Sequence, residues 1–417
     1  MSRDFLIGLD LGSHAFRMLA ARRGSDAPEG VEIVAAATVP AAGIRRGMIV
    51  AIDDAARAVS SLRGELERRL GTAVGGAYVG IGGPHVGSVP SRGLVVVSRS
   101  DNRIGPDDIR RVLEAAGAIS LGRNTEVLTV VPREYIVDGE RNIKEAEGMQ
   151  GTRLEVEAVV LTSATPHVKN IRQVLAQSDL DDHDLIVSPL ATARAVLTPR
   201  QRELGVALVD IGHGTTDVAV FEDGQLLATT ILPIGGAHIT NDIAIGLRCA
   251  IDAAEIAKHE YGAANAGSIG KRESVELSVI DPLQDGTSFS RRELAEIIDA
   301  RLEEIFELVG QELKRIGRWR LLPGGVVLSG GTANIPGIVE TARQAFHLPV
   351  QLGYPNAVSG PKDVAANFSY ATALGIVFAV ADASGAARRG PHLSFPKLPG
   401  ARFSGGGVGK FFRSLLP

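Results

Sequence analysis

Cysteine is all but missing: Cys249 is the single one among 417 residues. It has no internal disulfide partner, which excludes a disulfide-held secreted scaffold and fits a reducing cytoplasm. Long apolar runs are missing too. The start, Met1-Ser2-Arg3-Asp4-Phe5-Leu6-Ile7, is too brief for a secretory leader. In the C-terminal half the best run, Tyr370 to Val380, falls short of the ~18–20 residues needed to cross a bilayer. The nine histidines show no His-Glu-x-x-His or Cys/His spacing, so structural zinc is not expected. No Walker loop is present. Its nearest decoy, Gly405-Gly406-Gly407-Val408-Gly409-Lys410, follows no strand and runs into Phe411 instead of a hydroxyl. Nor is a Ser-His-Asp arrangement legible. Acid is absent from residues 384–417, which carry Arg388, Arg389, Lys397, Arg402, Lys410 and Arg413. The net charge of −4 therefore combines a basic tail with a more acidic body. An acidic body argues against nucleic acid as the main partner.

What is there is an ordinary globular composition, 45% hydrophobic and 22% charged, long enough for about two to four domains. Strand-like runs such as Phe5–Leu9, Val31–Ala37, Ala77–Gly82, Gly205–Val209 and Gly325–Leu328 alternate with helical patterns. The helices include Ile52–Leu70, Pro106–Ala118, Pro189–Leu197 and Ser290–Ile316, the last opened by a capping-box spacing from Ser290 to Glu293.

Two short stretches share one design. Leu6-Ile7-Gly8-Leu9-Asp10-Leu11-Gly12-Ser13 and Leu208-Val209-Asp210-Ile211-Gly212-His213-Gly214-Thr215-Thr216-Asp217 each run from apolar residues through an aspartate and glycine to a hydroxyl. Glycines let backbone N–H groups approach phosphate oxygens, and hydroxyls add donors. The aspartate only accepts, so it suits a magnesium shell or an oriented water. The first stretch alone equally fits a buried strand ending in a turn. The second, with two glycines, two hydroxyls and two carboxylates in eight residues, does not. A third element, Val326-Val327-Leu328-Ser329-Gly330-Gly331-Thr332, ends a strand in paired glycines that let backbone lie flat against a ribose or base. Such repetition within an α/β pattern implies a duplicated fold.

Together these motifs resemble the actin-like ATPase superfamily, and within it the FtsA family of bacterial cell-division proteins. The FtsA likeness is carried by Gly235-Gly236-Ala237-His238-Ile239-Thr240-Asn241-Asp242, Ala254-Glu255-Ile256-Ala257-Lys258, Gly267–Val275 and Val131-Pro132-Arg133-Glu134-Tyr135. It implies two ribonuclease-H-like α/β domains with an inserted 1C subdomain. Subdomain 1A would be 1–85 with 165–204, 1C 86–164, 2A 205–233 with 325–383, and 2B 234–324. A flexible linker over 384–406 and a membrane-targeting helix over 407–417 would follow. ATP is the implied ligand, with Mg²⁺ held through water by Asp10 and Asp210. Gly12, Ser13, Gly212, His213, Gly214, Thr215 and Thr216 would surround the phosphates. Gly235 and Gly236 would lie by phosphates and ribose, Glu255 and Lys258 near the base, and Gly330 and Gly331 at the adenosine. Implied partners are the FtsZ C-terminal peptide, received near Arg301, further copies of the chain in a filament, and later division proteins on the insertion. The implied location is the cytoplasmic face of the membrane at the division site. A pilus-platform protein of the PilM type is the alternative with the same fold and insertion.

Three departures from the family pattern bear on ATP. Ala15 stands where relatives typically carry lysine, His213 replaces the middle of three glycines, and Ser188 sits where hydrolysing relatives often place Glu or Gln. Binding is therefore expected over fast hydrolysis.

The tail is read from physics. Val408, Phe411, Phe412, Leu415 and Leu416 recur at i, i+3, i+4, i+7 and i+8, one helical face, with Lys410 and Arg413 off that stripe to meet anionic lipid. About ten residues make only ~15 Å of helix, and helices under ~12 residues are marginal in water. Folding should occur on the membrane, weakly for one tail and firmly for an array.

Overall fold

The computed structural model describes residues 5–24, 30–270, 272–279, 288–355, 359–361, 364 and 367–385. Residues 384 and 385 of the expected linker end helix Ala371–Gly385, and the rest of the linker and the amphipathic helix lie outside the described residues, from 386 onward.

Two five-stranded sheets share one topology. In the first, Leu6–Leu11, Ala15–Arg23 and Val31–Pro40 form an antiparallel meander. Gly76–Ile81 and then Asp181–Val187 add in parallel on the other side of the first strand. The second sheet repeats this with Val206–Ile211, Thr216–Glu222 and Gln225–Leu232 as the meander, then Val326–Ser329 and Val350–Leu352 in parallel. Central strands are apolar throughout because both faces are covered. Along Val206–Ile211 alternate side chains enter different cores. Val206 and Leu208 face the first-half core, while Ala207, Val209 and Ile211 face helices of the second half.

Between the fourth and fifth strands of the first sheet sits a separate layer. Val86–Val96, Thr125–Val137, Glu140–Ile143 and Arg153–Ala164 form a four-stranded sheet covered by helix Pro106–Gly117, with its own apolar cluster. Its outer strand touches the second half, where Ser88 Oγ donates to the Thr229 carbonyl at 2.7 Å.

In the second half, helix Arg291–Arg315 starts on the expected cap, with Ser290 Oγ accepting from the Glu293 N–H. Leu294, Ile298, Leu302, Ile305, Phe306, Val309 and Leu313 recur at three or four residues and enter the second core. Among the described residues no helix is long and apolar enough to cross a membrane.

Two helices exchange places between the halves. Ser188–Val196 follows the last strand of the first sheet yet packs against Val206–Ile211 and Thr216–Glu222. Ala371–Gly385 follows the second sheet yet packs on the first, across Leu6–Leu11, Ala15–Arg23 and Gly76–Ile81. They cross at van der Waals distance, because a Cβ on Gly375 would lie 1.7 Å from the Ala191 carbonyl oxygen. Thr192 and Thr372 hydroxyls bond at 2.9 Å beside the crossing. Arg194 grips Asp382 through two hydrogen bonds of 2.6 and 3.2 Å, with both side chains at most 10% exposed.

Gly375→Ala is therefore expected to lower unfolding free energy by about 2 kcal/mol or more, since overpacking against backbone has no cheap escape. Gly64→Ala, in helix Ile52–Leu70 with open space around the new Cβ, should raise it by about 0.5–1 kcal/mol. Urea denaturation of both variants beside the unmodified chain checks the pair.

Candidate functional site: a cleft between duplicated phosphate loops

Each aspartate–glycine motif is a β-hairpin. Asp10 is the penultimate residue of the Leu6–Leu11 strand, and Gly12-Ser13-His14 turn the chain into Ala15–Arg23. Asp210 sits in the same place before Gly212–Thr215, where the Gly212 N–H donates to the Thr215 carbonyl at 2.9 Å. The turns face each other so closely that a Cβ on Gly214 would lie 3.0 Å from Ser13 Oγ. Ser13 Oγ also accepts from the Gly47 N–H at 3.0 Å.

Between them lies a cleft of about 340 Å³. Of the sequence-derived site residues it gathers Asp10, Gly12, Ser13, Asp210, Gly212, His213, Gly214, Thr215, Gly236, Glu255, Lys258, Gly330 and Gly331 on its lining. Three stand elsewhere. Thr216 is fully buried and donates its hydroxyl to the Ile234 carbonyl at 2.8 Å, so it braces the loop from behind and is not on the cleft lining. Gly235 lies beneath the same loop, where a Cβ would collide with the Gly212 carbonyl at 2.6 Å. Arg301 is outside the cleft and engaged with Asp242 by two hydrogen bonds of 2.5 and 2.9 Å, and with Glu304.

Sequence reading assigned no site role to four contributors. Gly82 and Gly83 line the cleft directly after the fourth strand of the first sheet, as Gly330 and Gly331 follow the fourth strand of the second. The available signal was a second strand–Gly-Gly junction. Arg17 and Asp217 were the others. They pair across the hairpins with Asp10 and Asp210 respectively, so the duplicated position holds a cation in one half and an acid in the other.

The carboxylates are strongly perturbed. Burial pushes Asp10 up to about 6; Arg17 pulls it back, and the charge of Asp210 adds to the rise. Burial likewise pushes Asp210 up to about 6 against a hydrogen bond from Thr192 and the charge of Arg17. Asp217 is raised well above its ordinary value by burial and then by Asp210. Its Oδ1 is buried without a hydrogen-bond partner. Three acids converge with one arginine, and the unpartnered oxygen is of a kind that a cation or its water shell would satisfy.

The opposite wall is set by Lys258 and Glu255. Lys258 Nζ, 5% exposed, donates to Glu255 Oε2 at 2.7 Å and Thr240 Oγ1 at 2.8 Å. Glu255 is pushed up by burial, but hydrogen bonds from His259, Lys258 and Thr240 outweigh that and hold it below the usual carboxylate range. Gly330, at φ 83°, passes so near Asp210 that a Cβ would lie 2.3 Å from its Oδ1. Only glycine fits there, and the flat backbone it leaves is open to a ring. Donor-rich turns, glycine cradles and unneutralised acids fit a Mg²⁺–nucleotide.

Comparison with known proteins bears on the fold and the family. The family described as cell division protein FtsA matches residues 207–375, and the SHS2 domain inserted in FtsA matches residues 83–162. Cell division protein FtsA of Pseudomonas aeruginosa is 37% identical over 376 residues, covering 90% of this chain and 89% of the relative. Among solved structures, a PilM–PilN type IV pilus biogenesis complex shares the fold at TM-score 0.65 and 17% identity, over 90% of this chain and 98% of that one. MreB5 of Spiroplasma citri bound to ADP does so at TM-score 0.54 and 14% identity, over 90% and 95%. The fold is therefore the actin-like ATPase fold with an SHS2 insertion, and by the sequence match the chain belongs to the FtsA family of cell-division proteins.

Proposed function

We propose that this chain binds ATP with Mg²⁺ in the cleft, assembles into actin-like filaments, and tethers FtsZ filaments to the cytoplasmic membrane through its C-terminal amphipathic segment. The observation that carries the nucleotide reading is the convergence of four duplicated elements on one cleft: the Asp10 and Asp210 hairpins and the glycine pairs at 82–83 and 330–331. The structure of MreB5, which shares the fold, was solved with ADP.

Bound Mg²⁺ would supply the positive charge that the three buried acids lack. Asp10 and Asp210 would hold it through water, with Asp217 accepting from the same shell. Ser13 and Thr215 would donate to phosphate oxygens from the two halves, so one ligand draws both hairpins together. Lys258 holds Glu255 in place through their ion pair on the cleft wall. Ser188 lines the cleft where a water-positioning carboxylate or amide is wanted. A serine hydroxyl orients an attacking water poorly, so ATP here acts as a retained switch more than as fuel. FtsZ binding near Arg301 requires the acidic peptide to compete with Asp242 for the guanidinium.

The buried acids give a paired test. A carboxylate whose folded pKa lies above its unfolded value destabilises the fold when ionised, and that cost vanishes as pH falls through the folded pKa. At pH 7 Asp210→Asn should therefore stabilise the ligand-free protein by about 1–3 kcal/mol, read by urea denaturation, while weakening Mg-ATP binding at least tenfold. Unchanged Mg-ATP affinity would remove Asp210 from the site. For the unmodified chain, Mg-ATP affinity should drop as pH is lowered from 7.5 to 5.5, because the acids near 6 take up protons.

Tethering is tested by co-sedimentation with anionic liposomes and FtsZ, with and without ATP. The full chain should pellet with both, and a chain ending at residue 405 should leave the liposomes in either nucleotide state yet retain FtsZ. Equal liposome binding by the truncated chain would refute the membrane role of Val408–Leu416.

A further inference from the structure

The sequence holds no recognisable metal motif, but the fold makes one from distant residues. His14 comes from the first hairpin turn, His213 from the second, and Glu255 from helix Ile251–Glu260. One ring nitrogen of each histidine and one carboxylate oxygen of Glu255 lie within 4.8 Å of one another. The imidazoles face across the cleft at 5.2 Å between centroids, tilted by 49°. We infer that His14, His213 and Glu255 form a binding site for a late first-row divalent metal, with zinc the best-fitting ion, that joins the two halves of the cleft.

The donor chemistry separates this site from that of Mg²⁺. Two imidazoles and one carboxylate suit zinc and its neighbours, whereas magnesium takes oxygen donors and keeps much of its water. A tetrahedral ion ~2.0–2.1 Å from each ligand would space the donors about 3.4 Å apart. The existing separations need only modest side-chain rotation to reach that, and His14 is exposed enough to supply it. Glu255 is already oriented, since Lys258, Thr240 and His259 each bond its carboxylate. Such outer bonds fix a ligand's direction. The neighbouring Lys258 ammonium opposes a cation and tempers its affinity. Three protein ligands leave a fourth position open, facing the cleft.

The consequence is mechanical. His14 belongs to one half and the other two ligands to its counterpart, so the ion would hold the cleft closed without nucleotide. It also gives the two turn histidines a shared role that a phosphate loop does not require of them.

The test uses the full chain, freed of metal and nucleotide. Isothermal titration with Zn²⁺ should show one ion per chain, and Co²⁺ should give a visible ligand-field spectrum of low coordination number. Zn²⁺ should raise the melting temperature of the unmodified chain. His14→Ala, His213→Ala and Glu255→Gln should each weaken Zn²⁺ about tenfold or more and abolish the thermal shift, with circular dichroism confirming that each is folded. Cys249→Ala should bind as the unmodified chain does. Absence of stoichiometric Zn²⁺ uptake, unchanged affinity in either histidine variant, or loss of binding in Cys249→Ala would overturn the site. Because nucleotide is absent throughout, none of these outcomes bears on ATP binding.

Discussion

The crossing of helices Ser188–Val196 and Ala371–Gly385 is the constraint on which the site depends. Each helix closes one half in sequence and packs on the sheet of the other. The halves are therefore interlocked, and the cleft is the space left where their two hairpins meet. Gly375 allows the backbone contact with Ala191 that sets this distance. A larger residue there would move the Asp10 and Asp210 hairpins apart. The buried Arg194–Asp382 pair contributes orientation more than net stability, since desolvation offsets most of its attraction. Removing one partner would leave a buried charge, which costs about 3–5 kcal/mol.

The same crossing sets the electrostatics. Thr192, one residue past Ala191, meets Thr372 and donates to Asp210. A helix-packing contact thus bears directly on the acid that is proposed to hold Mg²⁺. Three acids against one arginine is an unfavourable arrangement for a folded protein at neutral pH. It is the arrangement that the proposed Mg²⁺ would relieve.

Much of the architecture was legible because duplicated function left duplicated sequence. Asp10-Leu11-Gly12 and Asp210-Ile211-Gly212 announce themselves, and the Ser290 cap and heptad-like run of Arg291–Arg315 follow from simple periodicity. Strands Ala15–Arg23 and Asp181–Val187 were not legible. The first contains Arg17, Arg22 and Arg23, and the second opens Asp-Asp-His-Asp, compositions that read as surface until sheet pairing covers them. Thr216 was misplaced for a related reason. Side chains alternate along a strand, so of two adjacent threonines only Thr215 lines the cleft while Thr216 turns inward. The His14, His213 and Glu255 cluster was invisible, since its members are near one another only after the two halves fold together.

The difference between the duplicated hairpins is as informative as their likeness. Position 17 of the first holds arginine where position 217 of the second holds aspartate. A symmetric pair of acids would repel strongly across so narrow a cleft, and a symmetric pair of arginines would oppose the cation proposed to bind there. One of each keeps a net negative pocket for a metal while leaving a guanidinium near Asp10 to moderate its charge. The asymmetry also divides the labour between halves. The second half, with Asp210, Asp217, Glu255 and Lys258, carries most of the charged lining. The first contributes Asp10, Arg17 and the small turn residues that close over it. A ligand would therefore be held chiefly by the second half, and the first half's position would report whether the site is filled. Under the proposed filament role, that asymmetry would couple nucleotide binding to the relative placement of the two halves, with the inserted domain carried on the first.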